Sequence, residues 1–556
     1  VTHDNHIQPL GLSSLPRKQI IITFAGVMLA MFLGSLDQTI VGTALPRIIS
    51  DLGGFSKYTW VTTAYIVFSA VAVPITGKIT DLYGRKYFYM GGIAIFILAS
   101  IACGFSDTMN QIIIFRGVQG IGAGVMMANA FTIIGDIFPP AERGKYQGFM
   151  SAVFGLSSII GPTLGGYITD SFGWHWVFFV NVPLGILIII LFSIFFPHIR
   201  PDNLKHTVDY PGVVLLILSV VPLMLALSFG GVEYAWGSAQ IIGMFIFSAI
   251  AIVMFLVVEM RSSEPIIPLS MFRNRIVAIS EIMVFLTSTG MFGAITFIPL
   301  FFQGVLGDTA TASGNFIVPM MLGNVTGSFI SGQLLSRAGG HYRIQGAVGV
   351  GLMAIGVFLL HGMGLDTSSG TAIRNMIITG LGLGITMPLY TIAVQNAVPY
   401  KILGTATSST AFFRSIGGSV GLAIFGSVMS NRYAAQLVNK IPEAVKNALP
   451  ADQMNLLIHN PQALLSPDAQ NQLHNAILKI GPQGESLFQQ VMKGLRESLS
   501  VSISNVFLWI LVAVIAAFIA NLFIKEIPLR KRYNNPAAAP KPETPAGPDT
   551  SNPPGK

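Results

Sequence analysis

A chain of 556 residues that is 52% hydrophobic and only 10% charged, with a mean hydropathy of +0.66, cannot coat a water-facing surface; a soluble protein of this size carries roughly 25% charged residues. The single Cys103 excludes an intrachain disulfide, and nine scattered histidines show no ligand spacing, so neither metal nor cofactor is expected. The net charge of +8 suggests basic loops beside a lipid bilayer rather than a nucleic-acid partner.

In chain order, residues 1–19 are a polar segment ending in Arg17-Lys18. The apolar run that follows is too long for a signal peptide and reads as a first membrane span. A transmembrane helix needs ~20 mostly apolar residues. Fourteen runs meet that test: 20–44, 58–77, 88–105, 109–134, 147–169, 177–197, 210–230, 239–259, 276–302, 314–335, 344–362, 371–396, 406–430 and 501–524. The expected fold class is an all-α polytopic membrane protein. If the N-terminus is cytoplasmic, the short inner loops hold thirteen cations, Lys78 and Arg85 among them. The short outer loops hold Arg47 and Lys57, with Arg374 at a span's edge. That asymmetry fits the positive-inside rule and puts both termini in the cytoplasm of a cell-membrane protein. Residues 431–500 then form a long outer loop. Phe488, Val491, Met492, Leu495 and Leu499 fall at helical spacing there, which predicts an amphipathic helix feeding the last span, in a helical hairpin. The tail from Asn534 has seven prolines in 23 residues and is expected to be disordered.

Between spans 2 and 3 stands Gly77-Lys-Ile-Thr-Asp-Leu-Tyr-Gly-Arg-Lys86, with one acid, three cations and two glycines. Membrane anchoring explains cations but not Asp81, nor Gly77 and Gly84, which suit close approach or a sharp turn. An acid here can accept hydrogen bonds from a neighbouring helix N-terminus or from an arginine, a contact that forms in one conformation and breaks in another.

This turn resembles the G-x-x-x-D-x-x-G-R-K loop of the major facilitator superfamily. "LDQTIVGTALP" at 36–46 resembles the first-span motif of its fourteen-span drug:proton antiporters, and "RGVQGIGAG" at 116–124 its fourth-span motif. "GPTLGG" at 161–166 (Gly161, Pro162, Gly165, Gly166) resembles the fifth-span motif associated with exporters. "FIPLFFQGVLG" and "FFRSIGGSVG" are similar to segments of spans 9 and 13. Three positions depart from the pattern: Leu82 stands where arginine is common, Ser157 replaces a glycine, and Ser336 occupies the second-half counterpart of Asp81. The resemblance implies two six-helix bundles around a central cavity, with two helices inserted between them. The expected boundaries are a first bundle at 20–197, an insertion with its inner loops at 198–275, a second bundle at 276–530 and a tail at 531–556.

Charges within spans are costly and should face a cavity or a partner. Asp37 lies ~14 Å before span 1 ends and Arg116 ~10 Å into span 4, so a direct or water-mediated pair is allowed. It is either a static ion pair or a proton-coupling acid tuned by its arginine. Glu281 lies ~8 Å into span 9, the counterpart of span 1, as a second proton carrier or an interfacial acid. Arg414 in span 13 is its potential partner or faces substrate. Phe292, Phe297, Met320 and Met321 are candidates for lining the cavity, with ordinary packing as the alternative. The pattern contains no phosphate-binding loop to use ATP. The reading is a non-enzymatic, monomeric, proton-coupled exporter of lipophilic or cationic small molecules. An uptake symporter and a non-transporting receptor using the outer loop are the alternatives.

Overall fold

The computed structural model describes residues 16–52, 57–196, 207–307, 317–338, 341–448, 450, 454, 457–458, 467–479 and 482–529. The N-terminal fifteen residues, most of the 197–209 loop and the proline-rich tail lie outside them. The described chain is built of helices, the form in which a segment satisfies its own backbone polar groups within hydrocarbon. In order these are α1 (Arg17–Leu52), α2 (Tyr58–Tyr83), α3 (Lys86–Gly104), α4 (Met109–Ile137), α5 (Pro140–Phe172), α6 (His175–Phe179) and α7 (Asn181–Phe195). Then come α8 (Tyr210–Phe229), α9 (Ala239–Arg261), α10 (Arg275–Phe301), α11 (Ile317–Ala338), α12 (Tyr342–His361), α13 (Ser369–Ala397) and α14 (Leu403–Val438). The short α15 (Glu443–Ala448) and α16 (Pro467–Leu478) precede the last helix, α17 (Gly484–Asn521).

Thirteen helices among the described residues are long and apolar enough to cross a membrane. The remaining expected span, 314–335, is α11; polar residues in "GNVTGSFISGQ" lower its hydropathy, and it packs against α5 and α13. Local sequence sets several helix starts. Thr108 and Gln111 form a capping box at α4. Ser238 and Ser368 cap α9 and α13, and Pro140 opens α5 at the position where its missing N–H costs nothing.

Helices α1–α7 enclose one core, in which Met31, Phe96, Met126, Ile133 and Phe192 are buried. Helices α10–α14 and α17 enclose another around Met283, Ile298, Met353, Leu389 and Ile510. The pair α8 and α9 packs on itself and beside α2 and α14. Its outer face, with Ile246, Ile250, Val253 and Met254 exposed, is lipid-facing in character. Two polar contacts fasten this pair and its connection to α2: Trp60 Nε1 donates to Glu233 at 3.3 Å, and Lys78 Nζ meets Glu264 at 2.6 Å.

The last helix has 38 residues, about 57 Å at 1.5 Å per residue, against a hydrocarbon core of about 30 Å. Its first turns lie beside the far end of α14. Val491, Leu495 and Leu499 are buried there, with Phe488 and Met492 partly so, against Tyr433, Leu437, Ile441 and Ile477. The helix expected from the spacing of Phe488 to Leu499 is the start of α17, packed beside the far end of α14.

Candidate functional site

The charged turn joins the two helix groups. Gly84 adopts φ +91°, a conformation open to glycine, and its nitrogen donates back to Thr80 O at 3.1 Å, so α2 stops and α3 begins within two residues. Gly77 faces Ser408 and the Gly404 carbonyl so closely that a Cβ would overlap them. That approach brings Asp81 onto the first turn of α14. Its Oδ1 accepts from the Gly404 nitrogen at 3.1 Å, and its Oδ2 from the Thr405 nitrogen at 2.7 Å and hydroxyl at 2.9 Å. An anion at a helix start meets unpaired N–H groups and the positive end of the helix dipole. Arg85 donates to Asp81 at 3.1 Å and forms an ion pair with Asp136 at the end of α4. Lys86 donates to the Ser193 and Phe196 carbonyls at 2.9 and 2.8 Å, closing the C-terminus of α7. Leu82, at the position where arginine is common, is buried. The side chain of Ser336 is not among those described.

Other contacts between the groups lie toward the same face. Buried Arg143 donates to Gln395 at 3.0 Å and also to the Gly135 and Phe138 carbonyls. Ser151 and Ser328 share a hydrogen bond of 3.0 Å. Gly144 of α5 and Gly332 of α11 touch backbone to backbone.

Asp37 and Arg116 form a direct ion pair at 2.6 Å, fully buried within the first helix group. Asp37 Oδ1 also accepts from Gln119 at 2.8 Å and Asn181 at 2.7 Å. Arg116 donates to Gln119 at 2.8 Å and lies 4.1 Å from the centre of the Tyr65 ring. One turn beyond Asp37, the "GPTLGG" stretch of α5 packs on α1. Gly161 abuts Thr39, Gly165 abuts Thr43 and Ile40, and Thr39 donates to Ser157 O at 3.1 Å. Pro162 is within the helix, and Gly166 has open space beside it.

Glu281 is 2% exposed; its Oε1 accepts from Thr410 at 3.0 Å, and Oε2 accepts no hydrogen bond among the described residues. Arg414 is not ion-paired with it. The guanidinium instead donates to Thr391 at 3.3 Å and lies 5.6 Å from the Phe131 ring of the first group. With Thr287, Ser288, Met291 and Thr386, Arg414 lines a cavity of about 10 Å³, room for a single water. Phe297 and Met320 are buried in the core of the second group, not on this cavity. Phe292 packs on Gly418, and Met321 faces Gly155 of α5.

Reasoning from the sequence missed Asp136, Gln119, Asn181, Arg143 and Gln395. Asp136 was the detectable one: an acid at the end of span 4, level with the charged turn. The amides carry no charge to mark them.

The chain matches the Major Facilitator Superfamily over residues 27–422. The multidrug transporter protein MdtP of Bacillus subtilis (strain 168) is 41% identical over 526 residues, covering 93% of this chain and 94% of that protein. Multidrug resistance protein 3 of the same organism is 39% identical over 499 residues, covering 90% and 94%. Two solved structures share the fold. The human organic anion transporter MFSD10 (TETRAN) gives a TM-score of 0.56 at 13% identity, covering 90% of this chain and 100% of that one. The proton:xylose symporter XylE, bound to 6-bromo-6-deoxy-D-glucose, gives 0.55 at 13% identity, covering 92% and 97%. With the helical architecture and the motif-bearing turn already described, these likenesses establish that the chain belongs to the Major Facilitator Superfamily, as a multi-pass membrane transporter and not an enzyme.

Proposed function

We propose that this protein is a proton-coupled exporter of lipophilic or cationic small molecules in the cell membrane. It works as a monomer by alternating access, with both termini in the cytoplasm and the 431–500 hairpin outside. The observation that carries the reading is Asp81. Its carboxylate bridges the two helix groups through three hydrogen bonds to the first turn of α14, a contact that must break for the groups to part on that face. On this reading the two groups move as bundles, and the present conformation is closed to the cytoplasm. The multidrug names of the two Bacillus relatives support export and the substrate class.

Proton coupling is assigned first to Glu281. To take a proton, Asp37 must loosen its ion pair with the Arg116 guanidinium or displace an amide donor, Gln119 or Asn181. Glu281 accepts from the Thr410 hydroxyl and, among the described residues, has no cation within ion-pair distance; Arg414 acts on it only from further away. Asp37, Arg116, Gln119 and Asn181 then form the support that fixes α1 against α4 and α7. The test is transport of tetraphenylphosphonium and ethidium in proteoliposomes with an imposed pH gradient. Antiport moves substrate and protons in opposite directions. Co-directional movement would make the protein an uptake symporter, and no flux with intact binding would favour a receptor.

A further inference from the structure

One stripe of α10 looks away from the rest of the molecule. Arg275, Ala278, Ile282 and Leu286 fall within an arc of about 80° at 100° per residue. Ile282 is 50% exposed on a membrane-length helix, so this stripe faces the bilayer. Beyond Arg275 the stripe forms one wall of an open groove of about 290 Å³, completed by Phe285, by Phe413 of α14 and by Phe272 of the turn Leu269–Arg273. Phe272 and Phe413 meet edge to face, with ring centres 6.0 Å apart. The groove exposes carbon only: the Glu281 carboxylate accepts from Thr410 and shows no oxygen there. Leu286 stands about 16.5 Å along α10 from Arg275, close to the ~15 Å of hydrocarbon in one leaflet. At the base of the groove are Arg273, next to Phe272, and Arg275. Both are exposed, and neither is ion-paired among the described residues. The Asn274 amide between them donates to Ala397 O at 3.2 Å, so this base lies beside the end of α13, on the face of the molecule that carries the charged turn.

We propose that this groove is a specific site for an anionic phospholipid of the leaflet on the charged-turn side, with its phosphate on Arg273 and Arg275 and an acyl chain against Phe272, Ile282, Phe285 and Phe413. The carbon-only wall admits a chain and rejects a polar or charged ligand, which would lose its hydration there without a partner. The arginines select the headgroup. A guanidinium matches a pair of phosphate oxygens, and two cations without ion pairs favour a net negative headgroup over a zwitterionic one, whose own cation they repel. Anchoring at the membrane surface accounts for arginines at the end of a span, but not for a leaflet-length slot aligned with them. The site goes beyond the exporter reading and holds for transport in either direction.

The test is photo-crosslinking of the full chain in lipid nanodiscs. A phosphatidylglycerol with a diazirine in one acyl chain is compared with a phosphatidylcholine carrying the same chain, and labelled peptides are mapped by mass spectrometry. The peptide containing residues 272–286 should take at least three times more label from phosphatidylglycerol. Arg273→Gln/Arg275→Gln should abolish that excess. Ala278 is half-buried in the groove wall, and Ala278→Trp should cut the labelling by phosphatidylglycerol at least threefold. If the arginine double variant does not fold, Arg275→Gln alone is read, with at least a twofold loss expected. If Ala278→Trp does not fold, Ile282→Trp replaces it. Equal labelling by the two lipids in the wild-type protein overturns the proposal, since the groove then holds ordinary bilayer chains. So does an excess that survives the arginine substitution, or a folded groove variant labelled as strongly as wild type.

Discussion

Asp81 and Asp37 are both acids beside an arginine, the first partly and the second fully buried, yet they differ in what they join. The partners of Asp81 include the start of a helix 324 residues away, whereas those of Asp37 all belong to its own helix group. Asp81→Asn retains one carbonyl acceptor and turns an amide N–H₂ toward donors. At about 1.5–3 kcal/mol for a hydrogen bond to a charged group, the ratio of turn-closed to turn-open molecules should fall more than tenfold. Spin labels on exposed Glu142 and Arg337 should then show a longer distance distribution than in the wild-type protein. An unchanged distribution would retire Asp81 as a conformational contact. Asp37→Asn leaves the buried Arg116 charge uncompensated, a loss of about 3–5 kcal/mol when one member of a buried pair is removed. Thermal unfolding of the detergent-solubilised variant should occur well below wild type. Asp37→Asn/Arg116→Gln should recover much of that loss. If the double variant also retains proton-driven efflux, Asp37 is structural and coupling rests with Glu281; if efflux is lost while stability returns, Asp37 carries the proton.

At the scale of elements, the pivotal contact is between α5 and α11. Gly144 and Gly332 meet where neither helix has room for a Cβ, and Ser151–Ser328 and the Phe149–Phe329 ring pair continue the seam. Gly332→Leu should therefore express and fold, since each helix is intact, but should be unable to close this face. Efflux should fall at least tenfold, and the Glu142–Arg337 label distance should lengthen. Wild-type transport by Gly332→Leu would show that α5 and α11 need not meet in the cycle. The hairpin beyond α14 is a different kind of element. Its helices are amphipathic, and its buried Val491 and Leu495 continue the core of the second group.

For the whole molecule, sidedness is the central prediction. With Cys103 replaced, Asn439→Cys on the exposed surface of the hairpin stem should react with an impermeant maleimide on intact cells. Labelling only after lysis would reverse the topology and the direction assigned to the closed face. Much of this architecture could be read in the sequence because the cost of placing a residue in hydrocarbon is largely its own. Runs of ~20 apolar residues reveal spans without reference to other parts of the chain. The same logic exposed Asp37, Arg116 and Glu281, since a charge in such a run needs a partner or a cavity, while Asp81 stood out as the one acid of a basic turn. It could not supply the partners. Asp81 is held largely by backbone N–H groups, which every non-proline residue possesses, and Asn181 and Gln119 are neutral. Nor could it separate core from cavity: Phe297 and Met320 are apolar, as are residues facing lipid, and only packing buries them in the second group. The sequence alone determined which segments enter the membrane and which charges demand an explanation. The tertiary structure alone decided which of those charges meet, because pairing depends on helix rotation and on contacts between segments hundreds of residues apart.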